Sequence, residues 1–137
     1  MTDRPLVFVV EDDLDIARIF ATALKGVGFS VEIIDNGARA LDRLAETAPA
    51  LVILDLSMPV VAGDNVLRQF ASDLRLLDTR VMLVTGLAAK AKELADQADG
   101  TLIKPVSVTQ IREMALRLVP SASLKHNPPA ENADLSS

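Results

Sequence analysis

The stretch LVILDLSMP occupies residues 51–59. Four apolar residues end in a carboxylate, Asp55, and four positions later the chain meets a proline, Pro59. Aspartate is a poor strand residue and is costly to bury without a partner. A short apolar run closed by turn residues reads as a strand. This strand therefore delivers an acid to the place where the chain must turn. Any further acid nearby raises the cost, and something must then neutralise the group.

The segments on either side repeat the pattern. Leu6–Val10 (LVFVV) is a continuous apolar run rich in β-branched residues, the mark of a strand buried on both faces. Ser30–Ile34, residues 51–54, 80–84 and 101–103 read as four further strands. Helical periodicity fills the gaps. After the first strand, Ile16, Ile19, Phe20, Ala23, Leu24 and Val27 recur at helical spacing, with Gly26 and Gly28 at the exit. Ala38, Leu41, Leu44 and Ala45 mark the second helix. The third spans 63–74, with Val66, Leu67, Phe70 and Leu74 inward. An Ala-rich fourth helix covers 88–98. The fifth covers 107–118, with Ser107 as N-cap and Ile111, Met114, Ala115 and Leu118 inward. Strict alternation of strands and helices predicts a parallel sheet covered by helices on both faces. Residues 4–119 form one domain on this reading, and 120–137, polar and rich in Pro, Ser and Asn, read as a disordered tail or linker.

Composition narrows the chemistry. The chain has 137 residues, half of them apolar, which suits a single filled core. The absence of cysteine excludes thiolate chemistry and cysteine-built zinc sites. The one histidine, His126, falls in the tail, away from any catalytic setting. A formal charge of −5 argues against direct nucleic-acid binding. No Trp or Tyr is present to stack on bases. Phe8, Phe20, Phe29 and Phe70 are all expected in the core. No apolar run approaches the ~20 residues of a membrane span, and the N-terminus lacks the features of a signal peptide. The expected setting is cytoplasmic, with no membrane contact.

In a parallel sheet, ligands bind beyond the carboxyl ends of the strands. Glu11, Asp12 and Asp13 follow the first strand, and Asp35 with Asn36 the second. Asp55 follows the third, Thr85 and Gly86 the fourth, and Lys104 with Pro105 the fifth. Each has an ordinary reading. Asp13 caps a helix, Asp55 forms a turn, and Lys104 is a surface amine. Their joint placement along one edge is what points to a site. Crowded carboxylates resist ionising, and a hard cation such as Mg²⁺, which takes oxygen ligands, relieves them. A fixed amine and a hydroxyl beside them suit a phosphoryl group. Asp55 would then be the nucleophile, forming an aspartyl phosphate.

FVVEDD, ILDLSMPVVAG, MLVTG and LIKP resemble the motif set of the receiver domains of two-component response regulators. The resemblance covers nearly all of residues 4–119. It implies a flavodoxin-like, doubly wound α/β fold with five helices and a five-stranded sheet in the order 2-1-3-4-5. It implies that Asp55 is the phosphoacceptor and that Asp12 binds Mg²⁺ directly. Glu11 acts as the companion acid, through a metal-bound water, and the backbone carbonyl of Ser57 completes the protein ligands. Thr85 and Lys104 would engage the phosphoryl group, and a cis bond before Pro105 would aim Lys104 inward. The implied partners are a histidine kinase or histidine phosphotransfer protein and an unknown downstream output protein or domain. A phosphorylation-dependent homodimer stays open.

Some positions depart from the pattern. Thr101 stands where a switching aromatic is common, Gly86 where alanine is common, and Ala62 where an acid is common. Ala17, beside Arg18, replaces an arginine-like residue. These departures touch the output and leave the phosphorylation chemistry intact. Other readings fare worse. A phosphohydrolase with an aspartyl intermediate wants an acid two positions after its nucleophile, where Ser57 stands. A flavin site wants a phosphate cradle where EDDLD repels phosphate. A phosphorylation-independent interaction domain on the same fold stays in play.

Overall fold

The computed structural model describes residues 4–57, 67–69 and 72–120. Five strands, β1 (Leu6–Val10), β2 (Ser30–Ile34), β3 (Leu51–Asp55), β4 (Arg80–Thr85) and β5 (Gly100–Ile103), form one sheet in the order β2-β1-β3-β4-β5. Every pairing is parallel. The helices α1 (Leu14–Lys25), α2 (Gly37–Glu46), α3 (Ala88–Leu94) and α4 (Val108–Leu118) connect them. The third of the five expected helices falls between β3 and β4. Residues 67–69 and 72 are helical there. Val66, Phe70 and the loop residues Met58, Pro59, Ala62 and Gly63 lie outside the described residues, as do residues 121–137 of the expected tail.

Period-two alternation sorts the strand side chains between two layers of core. Val7, Val9, Leu51, Ile53, Met82 and Val84 pack under α1 and α4, against Phe20, Leu24, Phe29 and Ile111. Phe8, Val10, Val52, Leu54, Val81 and Leu83 face the other way, against Ala40 and Leu44 of α2, Leu67, Leu76 and Leu94. Both faces of the central strands are thus dry, which is why β1 and β3 read as unbroken apolar runs. The edge strand β2 is only partly covered.

Local signals set the element ends. Asp13 caps α1, and Asn36 caps α2. Ser107 and Gln110 form a reciprocal capping box on α4. Gly28, at φ 110°, takes the left-handed turn between α1 and β2 that a side chain would resist.

Several expectations need correction. The buried stripe of α1 runs through Ala17, Phe20, Ala21 and Leu24, and Ile19 is 54% exposed at its flank. In α2 the buried row is Gly37, Ala40 and Leu44, whereas Ala38 and Ala45 face outward. Alanine favours helix on either face, so its spacing does not mark the core. Leu74 is 86% exposed rather than inward. Asp73 adopts an extended conformation and caps a 3₁₀ turn, Leu74–Leu76, which swings Leu74 out and Leu76 in. The Ala-rich helix stops at Leu94 and tightens to a 3₁₀ turn, Ala95–Gln97.

The approach to β4 is pinned by side-chain bonds to backbone. The Thr79 hydroxyl, buried, donates to the Pro49 carbonyl at 2.6 Å. Arg75 donates to the Leu44 carbonyl at 2.7 Å. Thr79→Val keeps the side chain's shape and strands the Pro49 carbonyl. It is expected to lower the unfolding free energy by about 1–2 kcal/mol, measured by urea denaturation with an unchanged slope.

Candidate functional site

The carboxyl ends of β1, β3, β4 and β5 share one edge. After β1 the chain turns through Glu11, Asp12 and Asp13. Asp13 is the helix cap, accepting the N–H groups of Asp15 and Ile16 at 3.0 and 3.2 Å. Asp12 is exposed, but Glu11 is buried, and its carboxylate accepts the Asp13 N–H at 3.1 Å. Glu11, Asp12 and Asp55 each bring a carboxylate oxygen to one point, with these oxygens within 4.8 Å of one another.

Asp55 is the last residue of β3, paired with Val84, and is buried. Its Oδ1 accepts the Ser57 N–H at 2.9 Å and the Ser57 hydroxyl at 2.6 Å. The first of these bonds is the turn that an aspartate makes with the backbone two residues on. Asp55 therefore forms the turn and also stands among the carboxylates gathered at this sheet edge. Lys104 Nζ lies 3.3 Å from the same oxygen and donates to Ser57 Oγ at 3.4 Å. The Lys104–Pro105 peptide is cis. Thr85, fully buried, ends β4, and its carbonyl accepts the Lys104 N–H at 2.8 Å. Its hydroxyl oxygen accepts the Leu87 N–H at 3.1 Å. Asp35 and Asn36 stand apart from this group. They bond each other, and Asp35 also pairs with Arg39.

Charge explains the asymmetry of the two buried acids. Burial, together with a hydrogen bond to Asp55 and its charge, pushes the Glu11 carboxyl up to about 8. Burial also presses the Asp55 carboxyl upward. The two Ser57 bonds, the Glu11 bond and the Lys104 charge outweigh it and hold Asp55 below the usual carboxylate range. Near neutrality Glu11 keeps its proton and shares it with an ionised Asp55. With Asp12 beside them, the acids of this cluster exceed the charge that Lys104 brings. Three oxygens of hard donor type, one at the solvent boundary, fit a hard divalent cation such as Mg²⁺.

The sequence reading anticipated a role for the Ser57 carbonyl but missed its side chain. The signal was available, because a hydroxyl two positions after a strand-end aspartate can close the same turn.

Below pH 4.5 Glu11 is protonated whether folded or not. Between 4.5 and about 8 only the folded chain holds the proton, so stability falls as pH rises through this window. Asp55, with its lowered value, is ionised in both states there and adds no opposing slope. In metal-free buffer the melting temperature should therefore drop across this range, and Glu11→Gln should flatten the drop. A slope surviving in that variant would place the titration elsewhere.

Residues 7–116 match the family model of the response regulator receiver domain. A Haloferax volcanii protein whose name assigns it to transcriptional regulation is 37% identical over 114 residues, covering 83% of this chain and 19% of that protein. The DNA-binding response regulator MtrA of Mycobacterium tuberculosis is 32% identical over 104 residues, 76% of this chain and 46% of that protein. The chain thus spans less than half the length of these relatives. A sensor protein from Polaromonas superposes with a TM-score of 0.76 at 27% identity, covering 87% of this chain and 98% of that one.

Proposed function

This chain belongs to the response regulator receiver family of two-component signalling, and on that premise we propose that Asp55 is its phosphoacceptor. The observation that carries the reading is the state of Asp55. It is buried, ionised, and held at one oxygen by Ser57 and Lys104. Oδ1 is turned toward these donors, so Oδ2 is the nucleophile. Oδ2 attacks the phosphorus of a phosphohistidine, an O–P bond forms, and the P–N bond breaks. The imidazole leaves with the electron pair of that bond and takes up a proton. Lys104 stands ready to follow the new charge, because it already pairs with the acceptor carboxylate. Thr85 lies beside Lys104 on the neighbouring strand and offers its hydroxyl proton to a phosphoryl oxygen.

Glu11 and Asp12, with Asp55 and the Ser57 carbonyl, would hold Mg²⁺, which supplies charge neutralisation to the phosphoryl oxygens when bound. With the cation there, Glu11 would give up the proton that burial and the neighbouring Asp55 hold on it. The chemistry is that of a signalling module acting on its own aspartate. The donor is a histidine kinase or histidine phosphotransfer protein, and the product state alters affinity for an output protein. No helix among the described residues is long and apolar enough to cross a membrane.

The test is labelling by acetyl phosphate. Intact-mass spectrometry should show one added phosphoryl group on the wild type with Mg²⁺ and none on Asp55→Asn. Asp12→Ala should lose Mg²⁺-dependent labelling while melting as a folded protein. Full labelling of Asp55→Asn would move the acceptor elsewhere.

The output path follows from Thr85 and position 101. Thr101 is half-buried and β-branched, with few rotamers to exchange. The signal instead leaves through Thr85, Gly86 and Leu87. A side chain at Gly86 would meet open space, and Leu87 is 62% exposed. Beryllofluoride, a phosphoryl mimic, should change hydrogen exchange mainly in residues 85–100. Thr101→Ala should leave that change intact, and its loss would make Thr101 the relay.

A further inference from the structure

A second surface lies at the other end of the strands, where the chain enters β4. Leu74 is 86% exposed and Leu77 76% exposed, the two most exposed large apolar side chains among the described residues. Large apolar groups grouped in water are informative in a way that single exposed leucines are not. These two are not loose. The Asp73 carboxylate caps the turn at the Arg75 N–H, 3.0 Å, and Arg75 reaches the Leu44 carbonyl. The Leu77 N–H bonds the Leu74 carbonyl at 3.2 Å, and the Thr79 N–H bonds the Leu76 carbonyl at 3.0 Å. The turn thus holds Leu74 and Leu77 outward while Leu76 enters the core.

Between them opens a groove of about 370 Å³, floored by Leu67, Leu76 and Val81. Its rim carries Asp73, Asp96 and Asp99, and among the described residues no lysine or arginine lines it. Asp73 is paired with Arg75, and Asp99 with Arg80. Asp96 has no cation partner among the described residues, and neither has the adjacent exposed Asp78. The groove is therefore apolar at its floor and lips, with uncompensated negative charge at Asp96 on its rim and at Asp78 beside it. A second copy meeting it groove to groove would bring these same acids against it.

We propose that this groove docks a basic amphipathic helix of a partner protein, its apolar side chains set between Leu74 and Leu77. Lysine or arginine on the flanks of that helix would face Asp96 and Asp78. Such helix-in-groove recognition reads anchors spaced along one helical face. The surface lies at the opposite sheet end from Asp55, so docking leaves the phosphoryl site open to its donor. The proposal does not depend on the phosphoacceptor reading.

The probe is a 14-residue leucine–lysine amphipathic peptide, with a leucine–glutamate peptide of the same pattern as control. Both are titrated into the full chain and followed by amide chemical shifts. The lysine peptide should bind saturably and shift residues 67, 73–81 and 94–99, and the glutamate peptide should not. Leu74→Ser with Leu77→Ser alters only exposed side chains and should melt like the wild type. It should weaken binding about tenfold or more, as the loss of two anchors does, while labelling by acetyl phosphate is unchanged. Asp78→Asn with Asp96→Asn should reduce the salt dependence of binding. No saturable binding, equal binding by the leucine variant, or shifts confined to residues 11–13 and 55 would overturn the proposal. So would concentration-dependent dimerisation of the wild type that the leucine variant loses, since the groove would then serve self-association.

Discussion

Glu11 and Asp55 are each 3% exposed at the same sheet edge, and without a cation only one of them stays ionised near neutrality. Geometry decides which. Asp55 receives a backbone N–H, a hydroxyl and an amine on one oxygen, whereas Glu11 receives one N–H and the neighbour's negative charge. The proton therefore settles on Glu11 and points at Asp55. Three carboxyls gather here beside Lys104, and the fit to Mg²⁺ follows from that excess of acid. The contacts from Ser57 and Lys104 keep Asp55 charged, because each stabilises its ionised form.

A buried acid pair carries a desolvation cost of several kcal/mol for each ion. Full burial of a Val, Leu, Ile or Phe side chain contributes about 1.5–3 kcal/mol. Val7, Phe8, Leu51, Val52, Leu54 and Leu83, all fully buried on the central strands, help to offset that cost. The parallel sheet also makes the crowding unavoidable. All five strands run one way, so residues one step past different strands meet at one edge however far apart they lie in sequence. Glu11, Asp55 and Lys104 are brought together by β1, β3 and β5 in this manner. The end where Leu74 and Leu77 stand carries none of these three residues.

Much of this was legible in the sequence, because unbroken apolar runs and strand-end residues are strong signals. Strand identities and the meeting of Glu11, Asp12 and Asp55 appear as expected, and the sheet order is the one that the receiver resemblance implied. Asp13 and Ser107 were readable as caps for the same reason, since short polar side chains before a helical period have few other uses. Helix faces were less legible. Alanine at 38 and 45 satisfies the period without committing to the core, and Ile19 sits on the stripe's flank, where a groove rather than a neighbour meets it. The position of Leu74 was hidden because one extended residue, Asp73, ends the helical register. The Ser57 hydroxyl was readable only from turn chemistry, as a hydroxyl two positions after a strand-end aspartate, and not from the long-range spacings that located the other site residues.

Thr85 joins the site to the rest of the molecule through one atom. A hydroxyl has one proton to give and two lone pairs to accept with. One lone pair already takes the Leu87 N–H, at the residue that precedes the first turn of α3. On the proposed phosphoacceptor reading, the proton is left for a phosphoryl oxygen. Thr85 can therefore hold both at once, but not from every position, because its branched χ1 offers few wells. A pull toward the phosphoryl group is a pull on Leu87, and α3 has no side-chain cap to anchor it against that motion. Helix α3 packs through Ala91 and Leu94, and Leu94 lies at its far end. On the proposed phosphoacceptor reading, the route from Thr85 through Leu87 to α3 needs no aromatic ring at position 101.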